Sequence, residues 1–467
     1  MPDTLSRYAW VLALLLIWAT AAARPAVAVA SGTRALTGCY SVASGPQGRT
    51  EIDAENADLR LTPASVAKLV TTMAALELLG PQFRVVTEVA AAGPVDGRTL
   101  SEDLVLIGAG DPTWSNRFEG DGPSPLESLA AQVAQRLDRV EGDLVLELSR
   151  FPGRDFPASR AVSEIAYAYG APTGALALND NVAWLRVAPG ARVGDPAAVS
   201  WQGAPAYRIE NLTITAPTSR HDRGTLDVLP AWRGDVLVLR GEYPVSEPPY
   251  RLPVALHDGE RRVGEAFLQA LAAAGVELTG TMRMSERPLV TGTRLATHRS
   301  PPISGWLVEI LQDSDNWLSE MLLRQIALQT LGEGRGLDGA EHVVDELTQR
   351  AGLVEGSLEL EDGSGLSPYD LVTPRAVVEL LLWARNRPWW ATLASSLPAP
   401  GEGTLAAWPG LPPSTRAKTG TLRHTVALAG LVERASRTIY FACFVNHATE
   451  DRGVLRRRLA SRIASWR

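Results

Sequence analysis

Three short motifs in this chain carry the residue types of a single active site, yet they lie far apart in the sequence. The first is S-V-A-K at residues 65–68, the second is S-D-N at 314–316, and the third is K-T-G-T at 418–421. The second begins 249 residues after the first. If the three motifs meet, both ends of the chain must build one domain, and most of the residues between them must form an insertion.

The first motif has the composition of an activated nucleophile. On a helix, Ser65 and Lys68 share one face, so the hydroxyl lies within reach of the ammonium. A serine hydroxyl is a weak nucleophile until a base takes its proton, and a desolvated neutral lysine is such a base. Thr62 is expected to cap this helix, with Pro63 at its first position. Alone, S-x-x-K is a common pattern without functional meaning.

The second motif lies between two predicted helices. The Ser314 hydroxyl is placed to pass a proton between Lys68 and a leaving group, and the Asn316 amide to hold Lys68 and a substrate amide. The alternative is a simple helix cap, since Ser, Asp and Asn are the usual N-cap residues.

The third motif lies on a predicted strand. Lys418 and Thr419 are expected to bind a substrate carboxylate, and Gly420 to let the substrate backbone approach. The N–H of Thr421 is expected to join that of Ser65 in an oxyanion hole. A lone K-T-G more often marks a turn, but all three motifs in this order are typical of class A β-lactamases and penicillin-binding proteins.

Hydrophobic periodicity divides the chain into three stretches. A strand near 36–43 and the first helix are followed by short β-type segments from about 85 to 285, with helices expected at 125–136 and 265–274. Helices return from about 300, and the chain ends with three strands and a helix at 455–466. The pattern predicts an α+β protein whose catalytic domain is split by a β-rich insertion.

The long first gap argues against a class A β-lactamase. The chain resembles the D-alanyl-D-alanine carboxypeptidase/endopeptidase family, low-molecular-mass penicillin-binding proteins of class C with two domains inserted between the first and second motifs. Further segments are similar to that family: G-D-P-T at 110–113, Y-G-A-P at 169–172, D-G-S-G-L-S at 362–367 and G-T-L at 403–405. The chain departs from the family at 368–370, where Pro-Tyr-Asp replaces the usual Arg and Asn, and at 406–408, which lacks the usual basic residues.

The resemblance implies a serine β-lactamase/transpeptidase-like catalytic domain, an antiparallel sheet with helices on both sides. The expected division is a signal peptide at 1–30, the catalytic domain at 31–84 and 286–467, inserted domain II at 85–114 and 178–285, and inserted domain III at 115–177. The implied reaction is hydrolysis of the D-alanyl-D-alanine bond of peptidoglycan stem peptides through an acyl-enzyme on Ser65, with β-lactams as inhibitors. The resemblance leaves the balance with endopeptidase activity open. A serine β-lactamase and a non-catalytic cell-wall binding protein are the alternatives.

The chain ends and the composition complete the expectation. An apolar N-terminal segment with A-x-A cleavage sites predicts export, to the periplasm in a Gram-negative cell. Cys39 and Cys443 lie in predicted strands, and a disulfide and two buried thiols are equally compatible with the sequence. The net charge of −7 and the absence of a long run of Lys or Arg argue against nucleic acid as a partner. The arginine-rich last helix is expected to pack on the sheet, with contact to a membrane surface as the alternative.

The six histidines show no metal-ligand spacing, so neither a metal nor another cofactor is expected. His424 is expected at a strand end rather than in the site. The sequence leaves the oligomeric state open.

Overall fold

The structure is a computed structural model that describes residues 35–118, 122–152, 156–217, 225–230, 235–332 and 337–466. The signal peptide expected at 1–30 lies outside these residues. Within them, no helix has both the length and the apolar character that a membrane span requires.

The described strands and helices follow in chain order. The strands are β1 (Leu36–Gly45), β2 (Gly48–Glu55), β3 (Val86–Ala91), β4 (Val95–Asp96), β5 (Thr99–Leu100), β6 (Leu104–Ile107), β7 (Arg139–Val140), β8 (Leu144–Glu147), β9 (Val182–Ala188), β10 (Ala198–Gln202), β11 (Arg208–Ala216), β12 (Asp227–Pro230), β13 (Val236–Pro244), β14 (Tyr250–Ala255), β15 (Glu277–Leu278), β16 (Met282–Ser285), β17 (Arg294–Arg299), β18 (Leu358–Glu359), β19 (Leu371–Val372), β20 (Thr415–Leu422), β21 (Thr425–Arg434) and β22 (Arg437–Asn446). The helices are α1 (Ala67–Leu78), α2 (Pro125–Ala134), α3 (Gly259–Ala273), α4 (Leu307–Leu311), α5 (Asn316–Leu331), α6 (Leu337–Ala351), α7 (Pro374–Ala384), α8 (Trp390–Ser396) and α9 (Arg452–Ser465).

A five-stranded antiparallel sheet joins the two ends of the chain. Its order is β2-β1-β22-β21-β20, so the first strand lies between its hairpin partner and the last strand. The inner strand β21 is buried along most of its length, as expected of a strand covered on both faces. Helices α1, α5 and α7 share one apolar core with this sheet, and α9 covers its other face. The predicted α+β fold with helices on both sides of the sheet is therefore confirmed.

The two cysteines lie directly opposite each other in neighbouring strands of this sheet. Cys39 of β1 pairs in register with Cys443 of β22, and the two sulfur atoms form a disulfide that joins residues 404 positions apart. The sequence left this pairing open, because nothing in the sequence alone establishes that these strands are neighbours.

The middle of the chain forms further sheets, and the strand pairing in these sheets divides the insertion differently from the predicted domain boundaries. Strands β16-β8-β6-β3-β17 form one sheet, and helices α2 and α3 share a core with it. Strands β9 to β14 form two three-stranded sheets around a separate core. We therefore propose that residues 86–148 and 259–299 form one inserted domain and residues 182–255 the other. Two features differ from the predicted division. Strand β17 lies after residue 285, in the predicted catalytic domain, but pairs with β3 of the insertion. Strand β8 and helix α2 lie within 115–177, but β8 pairs with β6 and α2 shares the core of that sheet.

The last helix packs on the sheet as predicted. Leu455, Leu459 and Ile463 of α9 are buried against it, and Arg462 pairs with Asp53 and Glu55. Contact with a membrane surface through this helix gains no support, because its apolar face is already covered.

The disulfide yields a stability prediction. Replacing both Cys39 and Cys443 by alanine should lower the free energy of unfolding by about 2–4 kcal/mol, because the bond closes a very long loop in the unfolded chain. Urea denaturation of the purified protein, with and without reductant, measures this difference. The native protein should lose stability on reduction, whereas the double variant should be insensitive to reductant. Equal stability of the oxidised and reduced native protein would contradict the bond.

Candidate active site

The three motifs meet beside the edge of the five-stranded sheet. The Lys68 Nζ donates to Ser65 Oγ at 3.1 Å and to Asn316 Oδ1 at 2.7 Å, so the first and second motifs share one lysine. The Lys418 Nζ donates to Ser314 Oγ at 2.9 Å, which joins the second and third. The side chains of two lysines and two serines from the three motifs therefore converge in one site.

Ser65 lies in a strained segment rather than in an ordinary first helical turn. Residues 64–66 form a single 3₁₀ turn before α1, and Ala64 has a φ of 49°, which is unusual for a residue with a side chain. The predicted cap by Thr62 is wrong, because no side chain caps this turn. The backbone of Thr62 is instead held by the Asn446 side chain, which accepts from Thr62 N–H at 2.8 Å and donates to its carbonyl at 3.1 Å.

The second motif is both a helix cap and part of the site. Asp315 is the N-cap of α5, and its carboxylate accepts from the Leu318 N–H at 2.9 Å. Its neighbours are free for other contacts: Asn316 contacts Lys68, and Ser314, with a φ of 64°, contacts Lys418. The motif therefore caps α5 through Asp315, while its other two residues contact the lysines of the first and third motifs.

The third motif lies on β20, which is an edge strand of the sheet. Thr419 Oγ1 donates to Thr404 Oγ1 at 2.7 Å, so the G-T-L segment lies beside it. Gly420 has a structural reason that the sequence did not reveal: a Cβ there would lie 2.5 Å from the Pro63 carbonyl oxygen. The glycine lets β20 pack closely against the segment that carries Ser65. His424 is exposed in the turn after β20, at the strand end as predicted.

Both lysines are fully buried, and burial shifts their proton affinity. Desolvation lowers the pKa of Lys68 to about 8, although the carboxylates of Asp362 and Glu320 act to raise it. The pKa of Lys418 is lowered well below its usual value, first by desolvation and then by the charge of Lys68. Each lysine therefore gives up its proton more readily than an exposed lysine does.

A loop that the sequence assigned no role completes the surroundings of Lys68. The Ser364 carbonyl accepts from Lys68 Nζ at 2.6 Å, a shorter distance than either side-chain contact of this lysine. Ser364 belongs to the D-G-S-G-L-S segment, which was noted only as a family resemblance. Backbone carbonyls leave no signal in a sequence, so only the fold identifies this contact. Among the described residues, no cluster of His, Cys, Asp or Glu could hold a metal ion.

Comparison of the sequence with known proteins identifies the family. Residues 39–465 match the D-Ala-D-Ala carboxypeptidase 3 (S13) family. The chain belongs to this family. It is 32% identical to a D-alanyl-D-alanine carboxypeptidase of Actinomadura sp. (strain R39) over 412 residues, which cover 83% of this chain and 73% of that protein. The D-alanyl-D-alanine carboxypeptidase DacB of Haemophilus influenzae is 24% identical over 405 residues, covering 85% of this chain and 83% of that protein.

A solved structure confirms the fold. Penicillin-binding protein 4 (dacB) of Haemophilus influenzae matches with a TM-score of 0.80 and 23% identity, over 92% of this chain and 96% of that one. The same protein in complex with a β-lactam matches with a TM-score of 0.75. The family and the fold that the motifs predicted are thus both confirmed.

Arg117 holds the second motif to the inserted region. Its guanidinium contacts Asp315 at 2.8 Å, Asp180 at 2.9 Å and Glu309 at 3.3 Å. One arginine thereby balances three carboxylates at the start of α5. Without the guanidinium, the carboxylates of Asp180 and Glu309 would repel that of Asp315. Arg117 therefore helps to keep Asp315 in its capping position and so supports the geometry of the S-D-N motif.

Arg117→Met should therefore lower the free energy of unfolding by about 1–2 kcal/mol, between the cost of breaking an exposed pair and that of breaking a buried one. Arg139→Met is the matched control. Arg139 contacts Glu277 and Glu141 on the surface with a more exposed side chain, so its loss should cost less than about 1 kcal/mol. Urea unfolding of both variants decides the matter, and equal losses would refute a special role for Arg117.

Proposed function

We propose that this protein is a serine D-alanyl-D-alanine carboxypeptidase that acts through an acyl-enzyme on Ser65. The observation that carries the proposal is the pair of lysine contacts in one site, Lys68 with Ser65 and Lys418 with Ser314. Family membership supplies the substrate class, since the relatives are named as D-alanyl-D-alanine carboxypeptidases. In this reading, the substrate is a peptidoglycan stem peptide that ends in two D-alanines.

Acylation begins with the transfer of the Ser65 proton. Neutral Lys68 accepts this proton while Ser65 Oγ forms a bond to the carbonyl carbon between the two D-alanines. The N–H groups of Ser65 and Thr421 are the proposed donors to the oxyanion. They remain a proposal from the motif, supported by the close packing of β20 against residues 63–64.

The leaving group then needs a proton as the C–N bond breaks. Lys418 donates to the oxygen of Ser314, which leaves the Ser314 hydroxyl hydrogen free to point to the departing amine. Ser314 gives its proton to the D-alanine nitrogen and is reprotonated by Lys418. The unusually low pKa of Lys418 makes this transfer easy. In deacylation a water oxygen bonds to the acyl carbon, and the proton that the water loses passes through Ser314 to Lys418. The ester C–O bond then breaks, and Ser65 Oγ takes back its proton from Lys68, so every group returns to its starting state.

Recognition of the terminal carboxylate is assigned to Lys418 and Thr419. The Lys418 amine and the Thr419 hydroxyl lie side by side on the edge strand, where both can bond to the carboxylate of a C-terminal residue. The negative charge of that carboxylate would itself favour the protonated form of Lys418. Asn316 accepts from Lys68 through its oxygen, and its NH₂ group donates to the Tyr169 carbonyl at 3.5 Å. The second N–H of that group is the proposed donor to the substrate amide. A β-lactam presents a similar carboxylate beside its reactive carbonyl, which explains its proposed role as an inhibitor.

Export is part of the proposal. The substrate lies outside the cytoplasmic membrane, and the disulfide between Cys39 and Cys443 belongs to an oxidising compartment. The proposal includes a cleaved signal peptide at 1–30 and, in a Gram-negative cell, a periplasmic location, both of which rest on the N-terminal sequence.

Labelling with a fluorescent penicillin tests the nucleophile. The native protein should take up about one label per chain, mass spectrometry should locate it on Ser65, and Ser65→Ala should abolish both labelling and D-alanine release. A non-catalytic wall-binding protein would show neither reaction. Rapid turnover of the penicillin, instead of lasting acylation, would favour the β-lactamase alternative.

The pKa of Lys68 yields a pH prediction. Because only the neutral lysine accepts the Ser65 proton, the acylation rate should rise about tenfold per pH unit below pH 8 and level off above it. Stopped-flow acylation by the fluorescent penicillin between pH 6 and about pH 9.5 gives this profile. Lys68→Arg, whose guanidinium stays protonated, should lose both the rise and most of the rate. A flat profile for the native protein would contradict Lys68 as the base.

A further inference from the structure

Residues 362–367 form a buried loop behind Lys68 that is organised by one carboxylate. The oxygens of Asp362 accept hydrogen bonds from the backbone N–H groups of Ser364 at 3.1 Å, Gly365 at 2.6 Å and Ser367 at 2.8 Å. Such a side chain bonding to the N–H groups that follow it imposes a tight turn. The turn directs the Ser364 carbonyl to Lys68 Nζ.

The loop is wedged between the helices that carry the first two motifs. The Gly363 carbonyl accepts from Thr71 of α1 at 2.8 Å and from Ser319 of α5 at 2.6 Å. Gly365 has a φ of 77°, and a Cβ there would lie 2.0 Å from the Ala64 carbonyl oxygen. The loop therefore has little freedom to move relative to Ser65 or Lys68.

The consequence for Lys68 follows from counting its donors and acceptors. The ammonium has three N–H groups, and the structure gives it three acceptors: Ser65 Oγ, Asn316 Oδ1 and the Ser364 carbonyl. The neutral amine keeps two N–H groups and gains one lone pair. Asn316 Oδ1 and the Ser364 carbonyl can only accept, so the two N–H groups of neutral Lys68 stay directed at these two oxygens. The lone pair then faces the Ser65 hydroxyl, the one partner with a proton to give.

We propose that Asp362 is a positioning residue for Lys68: by holding the Ser364 carbonyl on the lysine nitrogen, it aims the lone pair of neutral Lys68 at the Ser65 hydroxyl. This inference rests on the proposed function, because it assigns a partner to the base of that reaction. Asp362 itself does not contact Lys68 or Ser65 in any hydrogen bond of the described residues.

The charges around the loop allow this role to be separated from simple electrostatics. The side chains of Asp362, Glu320 and Arg160 are all almost fully buried, and Arg160 Nη2 lies 3.3 Å from Glu320 and 3.9 Å from Asp362. Two other nitrogens of Arg160 have no hydrogen-bond partner among the described residues, so this inserted-region residue serves mainly as a counter-charge. Asp315 and Lys418 are the remaining charged groups that influence Lys68.

Asp370 lies in the same buried cluster but differs in its protonation. It is fully buried, and one of its oxygens accepts the Glu361 N–H at 2.7 Å. Desolvation, followed by the charge of Asp362, raises the pKa of Asp370 well above its usual range, which favours its neutral form. Asp362 and Asp370 are thus neighbouring aspartates, of which only Asp362 accepts the N–H groups of the 362–367 loop.

Isosteric variants at the two aspartates test the proposal. Acylation by a fluorescent penicillin is measured in a stopped-flow instrument, which separates the dissociation constant of the first complex from the acylation rate constant. Asp362→Asn replaces one of the two acceptor oxygens by an NH₂ group, which cannot accept a hydrogen bond from the N–H groups of the loop. It should lower the acylation rate constant about tenfold to a hundredfold, with the dissociation constant within about twofold of native. Asp370→Asn, which mimics the neutral acid, should be native in both values.

Glu320→Gln isolates the contribution of charge. The Glu320 carboxylate accepts the Gly363 N–H at 3.0 Å, and a glutamine oxygen can still accept it. Burial raises the pKa of Glu320 to about 7, so above that pH the variant should keep the loop while it loses one negative charge near Lys68. The rate plateau should be retained, and the rise in rate should move to lower pH by roughly half a unit to one unit. Asp362→Asn is read by the rate constant alone, because this variant also removes a negative charge that acts on both Lys68 and Asp370.

Several outcomes would overturn the inference. These are equal rates for Asp362→Asn and Asp370→Asn, or a loss that appears only in the dissociation constant. If Asp362→Asn does not fold, Thr71→Val replaces it. That variant removes one donor to the Gly363 carbonyl and no charge, and a native acylation rate would reject the positioning role. Absence of label on Ser65 in the native protein would instead refute the proposed function itself.

Discussion

Two fully buried lysines in one site are the constraint on which the rest of the structure depends. Removing an ammonium from water is costly unless its N–H groups find acceptors and its charge finds partners. Lys68 is given three acceptors, from the 3₁₀ turn before α1, from α5 and from the 362–367 loop. Lys418 is given the Ser314 hydroxyl and the Thr419 carbonyl. The helices and the loop must therefore converge on one point. The same burial that makes this arrangement expensive lowers both pKa values and so makes the lysines useful for proton transfer.

The five-stranded sheet is what brings the distant motifs together. Strand β1 precedes the Ser65 segment and pairs with β22, and β21 then links β22 to β20, which carries Lys418. Contacts between residues so far apart in sequence are expensive in chain entropy, and they form only if the paired strands bury enough apolar surface. The core around Cys39 and Cys443 provides that surface, and the disulfide fixes the register at its centre.

A functional residue could be predicted from the sequence where its role needs a particular side chain, but not where its role depends only on its position in the fold. Ser65, Lys68 and Lys418 were identifiable because their chemistry requires those side chains in that order. The Ser364 carbonyl was not, since any residue has one. Strand β2 was missed because it is an exposed, mostly polar edge strand without apolar alternation. The grouping of the inserted sheets was missed because β17 pairs with β3 across some 200 residues, and no local pattern encodes such a pairing.

The inserted region is tied to the site by the helix that carries the second motif. Along α5, Arg324 donates to the carbonyls of Thr173 and Phe151, and Gln325 donates to those of Ala109 and Gly110. These contacts are buried, and unsatisfied carbonyls would be left if the two parts separated. The chain also enters and leaves the insertion side by side, because the Ser300 N–H donates to the Val85 carbonyl at 2.9 Å. Since α5 begins at Asn316, a displacement of the inserted region would also move the amide that holds Lys68. The insertion is therefore mechanically part of the active site, although it contributes none of the three motifs.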